Sequence, residues 1–204
     1  MSIHNGPLQF LKGAIVILPA ASGKSSTILF QYNPENVQRS LQPQVLGGEP
    51  GQQSPGLRYT GAPVETIKVE VLIDAADQLE KGDSQAADMG IYPQLAALEM
   101  LAYPQSQQVT QNNQLLAQGL LEIGPYPAPL TLFVWGRQRS LPVRLTSFAI
   151  QEQIFGVTLN PLRATVSLEM RALSYSELDQ SHQGYHLFLA YQQAKERMAQ
   201  FGRT

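Results

Sequence analysis

Between Ile67 and Asp74 the chain alternates with period two: Ile67, Val69, Val71 and Ile73 are apolar, and Lys68, Glu70, Leu72 and Asp74 stand between them. The same rhythm returns about ninety residues later, where Leu162, Ala164, Val166, Leu168 and Met170 alternate with Arg163, Thr165, Ser167, Glu169 and Arg171. Only a strand with one buried face gives this pattern, because successive side chains leave an extended backbone on opposite sides. Both halves of the chain are thus β in part. The fold class read from the sequence is therefore mainly β (α+β).

The remaining segments fill in that frame. Ala14 to Leu18 and Ser26 to Tyr32 read as two short strands, joined by the turn formers of residues 19–25 as a hairpin loop. Asn33-Pro34 stops the second strand, since proline cannot donate to a ladder and holds the residue before it extended. Residues Glu35 to Leu41 are expected to make one short helical turn after Pro34. Residues 42–56, rich in Pro and Gly, read as a loop. Leu95, Leu98 and Leu101 recur at helical spacing behind Pro93, giving one internal amphipathic helix that starts at Tyr92. Residues 104–118 hold six Gln together with Asn112 and Asn113, and read as a low-complexity surface excursion. Leu130 to Trp135 is apolar on both faces, as a doubly buried strand is, and Leu141 to Ile150 is a further strand. Gly136 and Gly156 fall in connections. The proline-free stretch from Tyr185 to Phe201 reads as a C-terminal helix. The expected division is a β domain over residues 1–178 and a helical tail over 179–204.

Charge narrows the function classes. Of 204 residues only 15% are charged, 14 basic against 16 acidic, and polarity comes instead from 24 Gln and from Ser, Thr and Asn. A net charge of −2 gives no general attraction to nucleic acid or to an anionic membrane. No apolar run is long enough for a signal peptide or a membrane span, so a cytoplasmic chain with no membrane insertion is expected. The absence of cysteine excludes disulfides, Cys-ligated zinc, iron–sulfur clusters and thiol catalysis.

None of the chemical motifs in the sequence points to an enzyme. Ser22-Gly23-Lys24-Ser25 imitates the end of a phosphate-binding loop, but position 18 is Leu where that loop needs Gly. The residues that follow prefer a strand to the required helix. His182 and His186 are four apart, yet Gly184 lies between them and His4 is the third and last histidine, so a solvent-facing helix start is the better reading than a metal site. Glu65, Glu70 and Asp74 near one strand read as solvated strand charges. No Gly-x-Ser-x-Gly turn is present. Catalytic, cofactor and metal residues are all expected to be absent.

Five ordered segments carry a resemblance. Phe30-Gln31-Tyr32-Asn33-Pro34-Glu35-Asn36-Val37 is followed by Gly61 to Asp74, with Pro63 and the alternating strand. Next come Tyr92 to Leu98 and Ala128-Pro129-Leu130-Thr131-Leu132-Phe133-Val134-Trp135-Gly136. Last is Val143 to Ile150 with Phe155 and Asn160-Pro161-Leu162-Arg163-Ala164-Thr165-Val166. From about residue 12 to 175 the order resembles that of the tube-related proteins of contractile injection systems. The resemblance implies a tail-tube-like β-barrel or sandwich with a helix on one side. It further implies a non-enzymatic ring subunit at the baseplate hub: six copies that join the inner tube to the central spike and contact baseplate wedge proteins. Relatives often carry a C-terminal LysM module; here some 26 residues after Leu178 leave no room for one, and the helix over 185–201 stands in its place. On this reading Phe30, Tyr32, Asn33 and Pro34 form a structural corner, and Phe133, Trp135 and Gly136 belong to the buried strand and its turn. Two rivals remain open: an inner-tube or tail-terminator protein, and a monomeric β-barrel that binds a small apolar ligand.

Overall fold

The computed structural model describes residues 11–19, 24–46, 58–119, 126 and 128–202. Its elements run in the order β1 Ala14–Leu18, β2 Ser26–Leu29, β3 Val37–Gln42, β4 Val45–Leu46, β5 Arg58–Tyr59, β6 Val64–Asp74, α1 Ala76–Glu80, α2 Ser84–Met89, α3 Tyr92–Glu99, α4 Ser106–Ala117, β7 Leu130–Val134, β8 Ser140–Phe155, β9 Pro161–Ala172 and α5 Gln183–Phe201. Seven strands form one antiparallel sheet in the order β2-β1-β7-β8-β9-β6-β3, and β4 and β5 pair separately as a short ribbon. The two alternating segments, β6 and β9, lie side by side, with Val69 opposite Leu168 and Val71 opposite Val166.

Because opposed residues in a ladder share a face, the register sorts the sheet into two sides. One carries Ile15, Phe133, Leu141, Val143, Val166, Leu168, Met170 and the apolar side of β6. Against it pack Ile91, Leu95 and Leu98 of the α3 region and Phe188 and Tyr191 of α5. Strand β8 holds its apolar residues on this side by a bulge. The alternation shifts between Leu145 and Ser147, so that Leu145 and then Phe148 and Ile150 all reach the core. The opposite side, under no helix of this core, presents Lys68, Glu70, Ser147, Ser167 and Glu169, with Lys68 and Glu169 in an ion pair at 2.9 Å.

The structure corrects several of the sequence expectations. The sheet is not closed into a barrel: β2 and β3 are its two edges and do not pair. Residues 37–42 form strand β3 on β6, not a helical turn, since a long-range ladder with Val64–Val69 pairs one side of their backbone. The Gln-rich excursion over 104–118 contains the twelve-residue helix α4, none of whose residues is buried. The single internal helix becomes four. Helix α2 is started by Asp83, whose carboxylate accepts the N–H of Gln85 and Ala86. Strand β2 ends at Leu29 rather than Tyr32, and β8 runs five residues beyond Ile150. The loop expected over 42–56 lies in large part outside the described residues, and so do four residues of the β1–β2 connection, although β1 and β2 do pair as a hairpin.

Candidate functional site

Two groups of residues far apart in sequence meet at Gly13. The Gly13 carbonyl accepts the N–H of Phe30 at 2.9 Å, and the Gly13 N–H donates to Asn33 Oδ1 at 2.8 Å. The Asn33 amide also donates to the Leu11 carbonyl at 2.9 Å. A methyl group on Gly13 would lie 2.6 Å from the Trp135 ring and 2.8 Å from the Phe30 ring, so only a bare Cα fits there. Phe133 stacks on Trp135 with ring centroids 6.0 Å apart. Phe30 and Phe133 are buried, Pro34 is half-buried, and Tyr32 is exposed with its hydroxyl 3.4 Å from Asp77. A partial loss of solvent at the ring, then the negative charges of Asp77 and Asp74, raise the phenol of the exposed Tyr32 above its ordinary value. Gly136, at φ +70°, turns the chain out of β7, and Trp135 N–H closes the turn on the Arg139 carbonyl. Thus Phe30, Asn33 and Trp135 all converge on one backbone position.

Gln31 extends this corner across the sheet. Its side-chain amide donates to the Asp74 carbonyl at 2.7 Å, and its carbonyl accepts the Asp74 N–H at 2.9 Å. One side chain thereby bonds a backbone as a strand would, and it ties the end of β2 to the end of β6. The sheet is curled far enough to bring these ends together without a ladder between them. Asp74 itself is buried and pairs with Arg163 at 2.6 Å, so it is not a solvated charge.

Sequence reasoning missed the most polar part of the core. Glu65, read as a solvated strand charge, is 1% exposed. It shares the parity of Ile67 and Val69, so it points under α5, and that parity was the signal available in the sequence. Its Oε1 accepts Arg39 Nε at 2.8 Å and the Tyr191 hydroxyl at 3.1 Å, and its Oε2 accepts Lys195 Nζ at 3.1 Å. The Lys195 ammonium also sits 4.1 Å from the centre of the Tyr191 ring. Burial alone would raise the Glu65 carboxyl, but hydrogen bonds from Arg39 and Lys195 outweigh it and hold the carboxyl below its ordinary value. Burial, then the Glu65 charge, push the Tyr191 phenol well above its own. The cluster can clamp: it fastens α5 to β6 and to the edge strand β3.

His182 caps α5 by accepting the Gly184 N–H on Nδ1, at 3.0 Å, and so starts a helix as the sequence suggested. No group of three or more His, Asp or Glu residues capable of holding a metal exists among the described residues. No described helix is long and apolar enough to cross a membrane.

Among the described residues the sheet leaves two edges without a partner strand, β2 and β3, and one polar side uncovered by the helices of the core. An unpaired edge presents a row of free N–H and C=O groups to another chain. No curated protein matches the chain. Among solved structures, a chain from the tail of an empty gene transfer agent particle, determined with helical refinement and C6 symmetry, is similar at 12% identity. The match covers 78% of this chain and 90% of that one, with a TM-score of 0.31. A chain from the virion of the native gene transfer agent particle is similar at 11% identity, over the same shares, with a TM-score of 0.29. The family described as contractile injection system tube protein matches residues 18–181, most of the chain. The five ordered segments read in the sequence all fall within that span, and the chain belongs to the contractile injection system tube protein family.

Proposed function

We propose that six copies of this chain close into a ring that joins the inner tube of a contractile injection system to its central spike and seats both in the baseplate. The observation that carries the ring is the open sheet: two unpaired edges on one subunit, one face packed under helices and the other polar. Subunits set edge to neighbour around a closed circle would leave neither β2 nor β3 exposed as an open edge. The uncovered side would then face the lumen. Its Ser and Gln side chains, with Lys68 and Arg residues set among Glu70, Asp74 and Glu169, suit a wall past which cargo slides. Within that ring the role is geometric, with no catalytic step, no cofactor and no nucleic-acid or membrane partner. The corner around Gly13 and the clamp at Glu65 serve it by holding the two edges at a fixed spacing.

The family description itself favours a second reading, an inner-tube protein stacked in many rings. Copy number separates the two. Quantitative mass spectrometry of purified particles is expected to give about six copies per particle, one ring's worth. A count that scales with particle length would replace the hub reading with the tube reading.

A further inference from the structure

At one end of the sheet the β8–β9 hairpin carries its apolar residues into water. Ile154 is 55% exposed, Phe155 51%, Val157 fully and Leu159 80%. Together they leave on the order of 500 Å² of apolar side chain uncovered, as much as the largest patch on a typical monomer. Ile154 and Leu159 also hold left-handed backbone, at φ 51° and 62°, which a branched side chain seldom adopts. No acceptor among the described residues takes the N–H of Val157 or Thr158. The ladder is paired up to Phe155 and Pro161, so the tip is held straight out and does not fold back on its own subunit.

The same end of the molecule carries a groove of about 450 Å³ between the β2 edge and α3. Its walls are Ile28 and Leu29, Val71 and Ile73, and Pro93 and Leu98. Gln78 and Gln94 also line it, and their side-chain carbonyl oxygens are buried without a hydrogen-bond partner. Buried acceptors left unpaired are costly, so a turn of either side chain toward the groove would let it accept from the spare N–H donors of a docked tip. Neither the groove lining nor the tip from Gln153 to Asn160 contains a charged residue, so joining them strips no ion of water.

We infer that the hairpin tip of one copy docks in the β2–α3 groove of a second copy, with Val157 and Leu159 filling it and the tip amides meeting Gln78 and Gln94. The contact is head-to-tail, and such contacts close into rings when the rotation per step allows it. The inference rests on the ring reading and names a contact within it.

The absence of cysteine makes the test direct. A chain carrying Ala97→Cys at the groove rim, mixed with a chain carrying Val157→Cys, is expected to give a reducible dimer of about 45 kDa, twice the 22.4 kDa chain. A chain with both substitutions is expected to give a ladder that ends at the closed ring. Leu159→Asp, on an exposed residue, is expected to leave the melting temperature unchanged and to weaken self-association at least tenfold. If the mixture cross-links no more than Val157→Cys with Ser147→Cys on the open face, while the wild-type chain still forms rings, the docking is overturned and the ring stands. The tip then binds a different protein. If the wild-type chain stays monomeric at every concentration, ring and docking fall together.

Discussion

Replacing Gly90 by Ala is expected to destabilise the protein by more than about 3 kcal/mol, the sum of a strained backbone and a collision that cannot relax. Gly90 ends α2 at φ 59° and ψ −136°, a region that residues with a Cβ essentially avoid. The added Cβ would land on the Pro161 carbonyl, which is main chain and already accepts the Ile91 N–H. That hydrogen bond seats the start of α3 against the base of the β8–β9 hairpin, next to a second bond from the Asn160 side chain to the Asp88 carbonyl. Moving Pro161 away would lift Ile91, Leu95 and Leu98 from the sheet, and all three are fully or nearly fully buried. Urea unfolding followed by far-ultraviolet circular dichroism measures the loss as a fall in midpoint at constant slope. Gly82→Ala is the control. Gly82 also has positive φ, at 72°, but nothing lies within 4 Å of the added Cβ, so only about 1 kcal/mol should be lost. Equal losses at the two positions would show that Gly90 is not held against Pro161.

The second large effect is expected at Glu65. Glu65→Gln keeps the size of the side chain and removes the charge that Arg39, Lys195 and Tyr191 surround. Breaking a buried ion pair from one side typically costs 3–5 kcal/mol. Arg39 and Lys195 are 25% and 36% exposed and can turn toward water, which lowers the expectation to about 2–3 kcal/mol. For a chain of this size that is roughly 5–10 °C in Tm. The pH dependence follows from the direction of the carboxyl shift. The folded protein holds Glu65 below the ordinary value of 4.5, so the unfolded chain takes up the proton first as pH falls. The contribution is therefore complete above pH 4.5 and is lost as pH drops through the folded value. Wild type and Glu65→Gln should differ fully at pH 7 and converge in acid. A gap that stays constant down to pH 2 would mean that the charge of Glu65 is not what the clamp uses.

Why Glu65 escaped a reading of the sequence is instructive. The alternation from Ile67 to Ile73 is legible because each inward side chain is apolar. Extended backward by one step it puts Glu65 on the core side, where composition says a charge does not belong. Its partners come from β3 and from α5, about 25 and 130 residues away, and no local pattern announces them. Strand β3 was hidden for a related reason. Its sequence Val37-Gln-Arg-Ser-Leu-Gln has no clean alternation, since it lies at an edge and buries little, and its identity as a strand comes from pairing with β6. Helix α4 was obscured by composition: Gln is a good helix former, and a Gln-rich run without buried residues reads equally well as a surface loop. The corner was better marked. Asn33-Pro34, Phe30 and Trp135-Gly136 were all singled out as residues, but their meeting place was not, because Gly13 gives no signal until Trp135 is seen above it.

Native mass, together with negative-stain class averages of the purified chain, decides whether the open sheet is a ring subunit. Six copies of a 22.4 kDa chain make a particle of about 134 kDa. The expected result is that mass, with class averages showing six-fold rings around a central opening. A 22.4 kDa monomer at every concentration, with no rings on the grid, would contradict it.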